Sequence, residues 1–143
     1  MTSTLVSFRY AQRTSTAVGE VHRPVAYVEL YSTALDRWLG YTMIIDSGAD
    51  YCVFPVSMVS DLGIALSACE LHVVSGVGGS ERVYLFRKLP MRIGPWTLIV
   101  PAGFIRRENV PPLLGRFQCL DRFDLRFHAF VTTFGRIRGT DGP

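Results

Sequence analysis

Residues 42–55 read TMIIDSGADYCVFP, and the reading of this stretch decides the fold. An apolar run leads straight into Asp46-Ser47-Gly48-Ala49-Asp50, and a second apolar run, Tyr51-Cys52-Val53-Phe54, follows at once. Such flanks belong to strands, so the pattern sets a carboxylate, a hydroxyl and a glycine in what reads as buried β structure. Burying an unpaired carboxylate is costly, and the usual resolutions are a partner, a proton or a function. Asp-Ser-Gly alone is weak evidence, because Asp and Gly favour turns and Ser caps them. Ordinary turns, however, are not bracketed by Met-Ile-Ile and Tyr-Cys-Val-Phe.

The rest of the chain is mostly short strands punctuated by Gly and Pro. Val6, Phe8 and Tyr10 share one face of a first strand. Along Val25–Leu30, residues Val25, Tyr27 and Glu29 alternate with Ala26, Val28 and Leu30, as on the two faces of a strand. Arg37–Asp46 is a second strong strand. Val56–Ile64 reads as a short helix stopped by Gly63, and Phe117–Phe123 as a second, followed by a closing strand from about Asp124. Two strand-like runs, 71–76 and 80–94, flank the glycines Gly76, Gly78 and Gly79, which signals a hairpin. Trp96–Ile105 is a further strand. A tip so poor in side chains lets its backbone approach a ligand closely and move as a lid.

At 143 residues, 48% hydrophobic and 19% charged, the chain suits one folded domain with a modest core. The net charge is +3, and Lys88 is the only lysine among fifteen basic residues. The arginines are dispersed, with Arg106-Arg107 the sole adjacent pair, so they read as solvated or salt-bridged side chains rather than a nucleic-acid footprint. Phe86–Trp96 comes nearest to the interleaved basic and aromatic pattern of a nucleic-acid surface, and an ordinary half-exposed strand shows the same. Cys52, Cys69 and Cys119 are odd in number and far apart, and His22, His72 and His128 fall in no ligand spacing. Buried reduced thiols are expected, with no metal, no disulfide and no cofactor. The N-terminus lacks a signal-peptide pattern, and the most apolar window is too short to span a bilayer. A soluble, cytoplasmic protein without nucleic-acid or membrane partners is the expectation.

A third feature is Val110-Pro-Pro-Leu-Leu-Gly-Arg116. Leu-Leu-Gly by itself suits a core strand and turn, but Arg116 is a candidate partner for Asp50, since guanidinium and carboxylate pair well. In this order, apolar-apolar-Asp-Ser-Gly-Ala-Asp, then Gly-x-Gly-Gly, then Leu-Leu-Gly-Arg, the chain resembles the retropepsin-type (retroviral-type) aspartic proteases, a family that includes bacterial members. The resemblance spans about Val25 to Phe127. It implies an all-β, closed barrel-like fold with one or two short helices, functional as a homodimer. Residues 1–20 would be an N-terminal arm, 21–135 the protease-like domain and 136–143 a flexible tail.

The resemblance further implies that Asp46 is the catalytic aspartate. Ser47 would brace the two active-site loops across the dimer axis, with Ala49 in the same loop. The Gly48 carbonyl would accept a substrate N–H, and Asp50, oriented by Arg116, would bind substrate backbone. Gly76, Val77 and Gly78 would form the tip of a flap, Ser75–Ser80, closing over an extended peptide. Leu113, Leu114 and Gly115 would pack beneath the catalytic loop. Two departures stand out: Phe117-Gln118 follows Arg116 where Asn or Asp is common, and the arm exceeds the minimal domain. Only one Asp-[Ser/Thr]-Gly occurs, so a dyad needs Asp46 from each of two subunits. Besides an endopeptidase, the residues leave open a catalytically weak or inactive dimeric peptide-binding module and an unrelated β-barrel with a small-ligand hairpin.

Overall fold

A computed structural model describes residues 4–76 and 78–137. The strands are β1 (Leu5–Arg9), β2 (Ala11–Ser15), β3 (Gly19–Arg23), β4 (Val25–Ser32), β5 (Arg37–Ile45) and β6 (Cys52–Pro55). After the helix α1 (Met58–Leu62) come β7 (Glu70–Gly76), β8 (Gly79–Ile93), β9 (Trp96–Ile105), β10 (Leu113–Leu114), β11 (Phe123–His128) and β12 (Val131–Arg136). They form a seven-stranded sheet, a three-stranded sheet ordered β1-β12-β11, and the separate hairpin β2-β3.

Alternation in the sequence becomes burial. In β4, Ala26, Val28 and Leu30 are fully buried while Tyr27 points out, which anchors β4 antiparallel to β5 in a single register. The core also takes Met43 and Ile45 from β5, Phe54 from β6, Met91 and Ile93 from β8, and Val100, Ala102 and Phe104 from β9. Phe54 and Phe104 meet edge to face at 5.8 Å. The three-stranded sheet is fastened to the same core by Phe123 and Phe134, whose rings lie 5.2 Å apart, with Trp96 5.2 Å from Phe123. Val6 and Phe8 of β1 are half-buried, and Phe8 packs edge-on against Phe134 at 5.7 Å.

The closed barrel expected from the resemblance does not form. The large sheet runs β4-β5-β10-β6-β9-β8-β7, so it has two ends. Between β4 and β8 only two residue pairs form, Glu29 with Arg92 and Leu30 with Met91, which is a staple and not a seam. The cause is how β8 spends its length: Gly79–Leu85 pairs with β7 in a projecting hairpin, leaving its far end for β4. One short helix forms, α1, trimmed to Met58–Leu62 and closed by Gly63. The second expected helix, over Phe117–Phe123, is only a 3-10 turn at Leu120–Arg122. Gln118 sits at φ 55°, a left-handed conformation that no α-helix carries. Arg136 closes β12 and Ile137 donates to the Arg122 carbonyl at 3.2 Å; residues 138–143 of the expected tail lie outside the described residues. Among the described residues no helix is long and apolar enough to cross a membrane.

Candidate active site

The two apolar runs of TMIIDSGADYCVFP are separate strands, β5 and β6, and Asp46–Tyr51 is the loop between them. The two residues of β10 slot into the gap. Leu113 and Leu114 run parallel to Ile44 and Ile45, while Leu113 lies antiparallel to Val53. The Asp46 N–H donates to the Leu114 carbonyl at 3.0 Å, and the Ile44 N–H to the Pro112 carbonyl at 3.0 Å. The loop then closes on itself: Ala49 N–H donates to the Asp46 carbonyl at 3.1 Å and Gly48 N–H to Asp46 Oδ1 at 2.9 Å.

This corrects the expectation of a carboxylate inside buried β structure. Asp46 is half-buried in the single chain, with Ser47, Gly48 and Asp50 exposed and Ala49 half-buried. Its Oδ1 is held by a backbone donor, and its Oδ2 meets no donor among the described residues. The carboxylate is therefore aimed by the turn with one oxygen left over.

The segment after β10 laces the loop from below. Arg116 N–H donates to the Ala49 carbonyl at 3.0 Å and Phe117 N–H to the Asp50 carbonyl at 2.8 Å. Arg116 Nη2 also donates to Asp50 Oδ1 at 2.5 Å. The Asp50 side chain remains 81% exposed, so this pair orients Asp50 far more than it stabilises the fold. At Gly115 the chain crosses so close to Tyr51 that an added Cβ would lie 2.2 Å from the Tyr51 carbonyl carbon and oxygen. The Gly115 N–H points at Cys52 Sγ, 3.5 Å away.

The hairpin β7-β8 is exposed along all of Glu70–Gly76, and Gly76 pairs with Gly79 at its tip. Gly79 has φ +107°, which a side chain would strain. Val77 lies outside the described residues. Gly76, Gly78 and Gly79 share a cleft of about 240 Å³ with Tyr51 and Val53. Glu81 and Arg107 line it too, paired at 2.9 Å, which ties the hairpin to the loop after β9. A second cleft, of about 450 Å³, lies on the Asp50, Tyr51 and Arg116 side of the loop. Asp46 lines neither.

A sequence model described as aspartyl protease matches residues 39–116, just over half of the chain, from within β5 through Arg116. The chain belongs to the aspartyl protease family. Among solved structures, this aspartyl protease family member is similar to a retropepsin-like aspartic protease from Rickettsia conorii. The two share 14% identity over 94% of each chain with a TM-score of 0.64, which is a likeness of fold. No curated protein matches it.

Tyr51 was read from the sequence only as part of an apolar run. Tyr51 borders both clefts and packs against the backbone at Gly103, where a Cβ would lie 2.8 Å from its ring. Burial, then the Asp50 and Glu81 carboxylates, push its hydroxyl pKa up, so it stays a neutral hydrogen-bonding group. An aromatic directly after an acidic loop was the available signal. Cys52 and Cys119 are buried free thiols in contact beneath the loop, whereas Cys69 is half-exposed. Contact with Cys52, and secondly burial, hold the Cys119 thiol well above its ordinary range, so it is a packing group and not a nucleophile. Among the described residues no cluster of His, Cys, Asp and Glu is fit to hold a metal ion.

Proposed function

We propose that this aspartyl protease family member is an endopeptidase whose active site is built by two identical subunits, each supplying Asp46. The observation that carries this reading is the Asp46 carboxylate, aimed by a backbone-locked turn yet only half-buried, with Oδ2 unclaimed. One chain has one such group, and hydrolysis of an amide by carboxylates needs two. In a two-fold pair, two adjacent carboxylates share one proton, because both cannot be ionised at contact distance.

The ionised carboxylate takes a proton from water while the other gives its proton to the scissile carbonyl oxygen. Water oxygen then bonds to the carbonyl carbon, giving a neutral gem-diol. Its collapse breaks the C–N bond as the protonated aspartate gives its proton to the amine and the ionised one takes a proton from a diol hydroxyl. This leaves a carboxylic acid, an amine and the dyad with its one shared proton. Ser47, exposed beside Asp46, braces the two loops across the axis. The Gly48 carbonyl and Asp50 hold an extended peptide by its backbone, and Ser75–Ser80 closes over it as a flap. Arg116 sets the Asp50 carboxylate, while Leu113, Leu114 and Gly115 support the loop.

The test is a peptide library incubated with the purified chain at acidic and neutral pH, with products read by mass spectrometry. Activity per subunit should fall on dilution, in step with dissociation measured by sedimentation. A strictly monomeric chain at high concentration, or activity per subunit independent of dilution, would remove the shared-dyad reading. Asp50→Asn should raise KM several-fold with little change in kcat. Because the Asp50–Arg116 pair is exposed, its loss should change stability by less than about 1 kcal/mol.

A further inference from the structure

The three-stranded sheet β1-β12-β11 ends on β11, and no other strand among the described residues pairs with its outer side. The strand begins Phe123-Asp124-Leu125-Arg126-Phe127. Asp124 and Arg126 share one face, both exposed and 3.9 Å apart. Phe123, Leu125 and Phe127 share the other face: Phe123 is buried, Leu125 half-buried and Phe127 exposed.

The hairpin turn fixes which backbone groups face the bare edge. Ala129 and Phe130 both have positive φ, 50° and 61°, the two-residue turn that leaves His128 and Val131 as a hydrogen-bonded pair. The same phase recurs at every second residue, and at the far end the Ile137 N–H donates to the Arg122 carbonyl at 3.2 Å. Asp124, Arg126 and His128 therefore turn their N–H and C=O groups toward β12, while Leu125 and Phe127 turn theirs outward. Such an edge, with a Phe exposed along it, is a template for another strand.

The strand that fits this edge is its own copy. Laid antiparallel on itself about Leu125, the segment sets Asp124 opposite the partner's Arg126 and Phe127 opposite the partner's Phe123. Leu125 and the partner's Leu125 then exchange both backbone bonds. The charged residues fall at the closer, non-hydrogen-bonded positions, where cross-strand side chains interact most. Moving the axis to Asp124 or to Arg126 would oppose like charges, so one register is selected. The contact of Asp124 with Arg126 in the same chain is long and exposed, so little is given up when each turns to the partner. Only residues 118–122 separate β11 from the Arg116–Phe117 segment that laces the Asp46 loop, so an interface at β11 bears on that loop.

We propose that β11 is the edge through which two copies of this chain associate, paired antiparallel about Leu125 with Asp124 of each against the partner's Arg126. The assignment of this dimer to the shared Asp46 site rests on the endopeptidase reading, while the pairing of the strands does not. The experiment is sedimentation equilibrium of the full chain and of the charge reversals Asp124→Arg and Arg126→Asp, each checked for an unchanged urea midpoint.

Each reversal alone should weaken self-association about tenfold or more, since both cross-strand pairs become repulsive. An equimolar mixture of the two variants should associate as tightly as wild type, because one chain then offers two cations to the other's two carboxylates. The double variant Asp124→Arg/Arg126→Asp should likewise self-associate as wild type does. A wild-type chain that stays monomeric at high concentration, or single variants that associate at wild-type strength, would overturn the proposal. So would single variants that weaken but do not restore one another on mixing. Peptide cleavage, followed in the same samples, reports on the endopeptidase reading separately. Restoration on mixing without any cleavage would keep the β11 interface and discard the protease; cleavage and association that both ignore the reversals would do the opposite.

Discussion

Asp46→Asn is expected to lower kcat for peptide hydrolysis by at least about 10³-fold while leaving the fold and subunit association unchanged. The amide keeps an oxygen to accept the Gly48 N–H, so the bond at 2.9 Å and the turn survive. What the amide lacks is the ability to take a proton from water or to hold the shared proton. Because each active site would use one Asp46 from either subunit, mixing gives a second readout. Wild-type chains titrated with excess Asp46→Asn should lose activity as mixed dimers form, and not merely by dilution. Turnover at the wild-type rate in the mutant, with contaminating protease excluded by repurification, would end the assignment of Asp46.

The largest stability effect is expected at Gly115→Ala. An added methyl would stand 2.2 Å from the Tyr51 carbonyl and 2.7 Å from its Cα. These are backbone atoms of the Asp46–Tyr51 loop, so relief requires moving the chain and not a rotamer. The expected cost is about 3 kcal/mol or more, read as a lowered urea midpoint. Gly78→Ala is the matched control: nothing lies within 4 Å of a Cβ there, and its urea midpoint should stay near that of the wild type. Equal midpoints for the two variants would show that the loop and the Gly115 segment are not packed as described.

How far the sequence revealed this can be judged residue by residue. The faces of β4 were legible because strict alternation of Ala26, Val28 and Leu30 with polar or aromatic neighbours admits one reading. The loop at Asp46 was legible in kind but not in burial. Flanking apolar runs look alike whether they continue one strand or belong to two strands separated by β10. Leu113–Leu114 is too short for any period to show that it pairs on both sides. Closure of the barrel was misjudged because it depends on how β8 divides its edge between β7 and β4, a tertiary matter. The second helix failed at Gln118, whose backbone conformation no local pattern announced.

The insertion of β10 between β5 and β6 also fixes when the Asp46 loop can take its shape. Asp46 takes its backbone bond from Leu114, and Ala49 and Asp50 take theirs from Arg116 and Phe117, all far along the chain. The central slot of the sheet stays vacant until that distant stretch arrives and threads between two strands already laid down, one parallel and one antiparallel to it. Such long-range closure comes late, since its entropy is spent before its contacts reward it. During synthesis, therefore, the aspartate emerges well before the strap that aims it. A growing chain carries the Asp46 loop without the residues that brace it until its C-terminal third has been made.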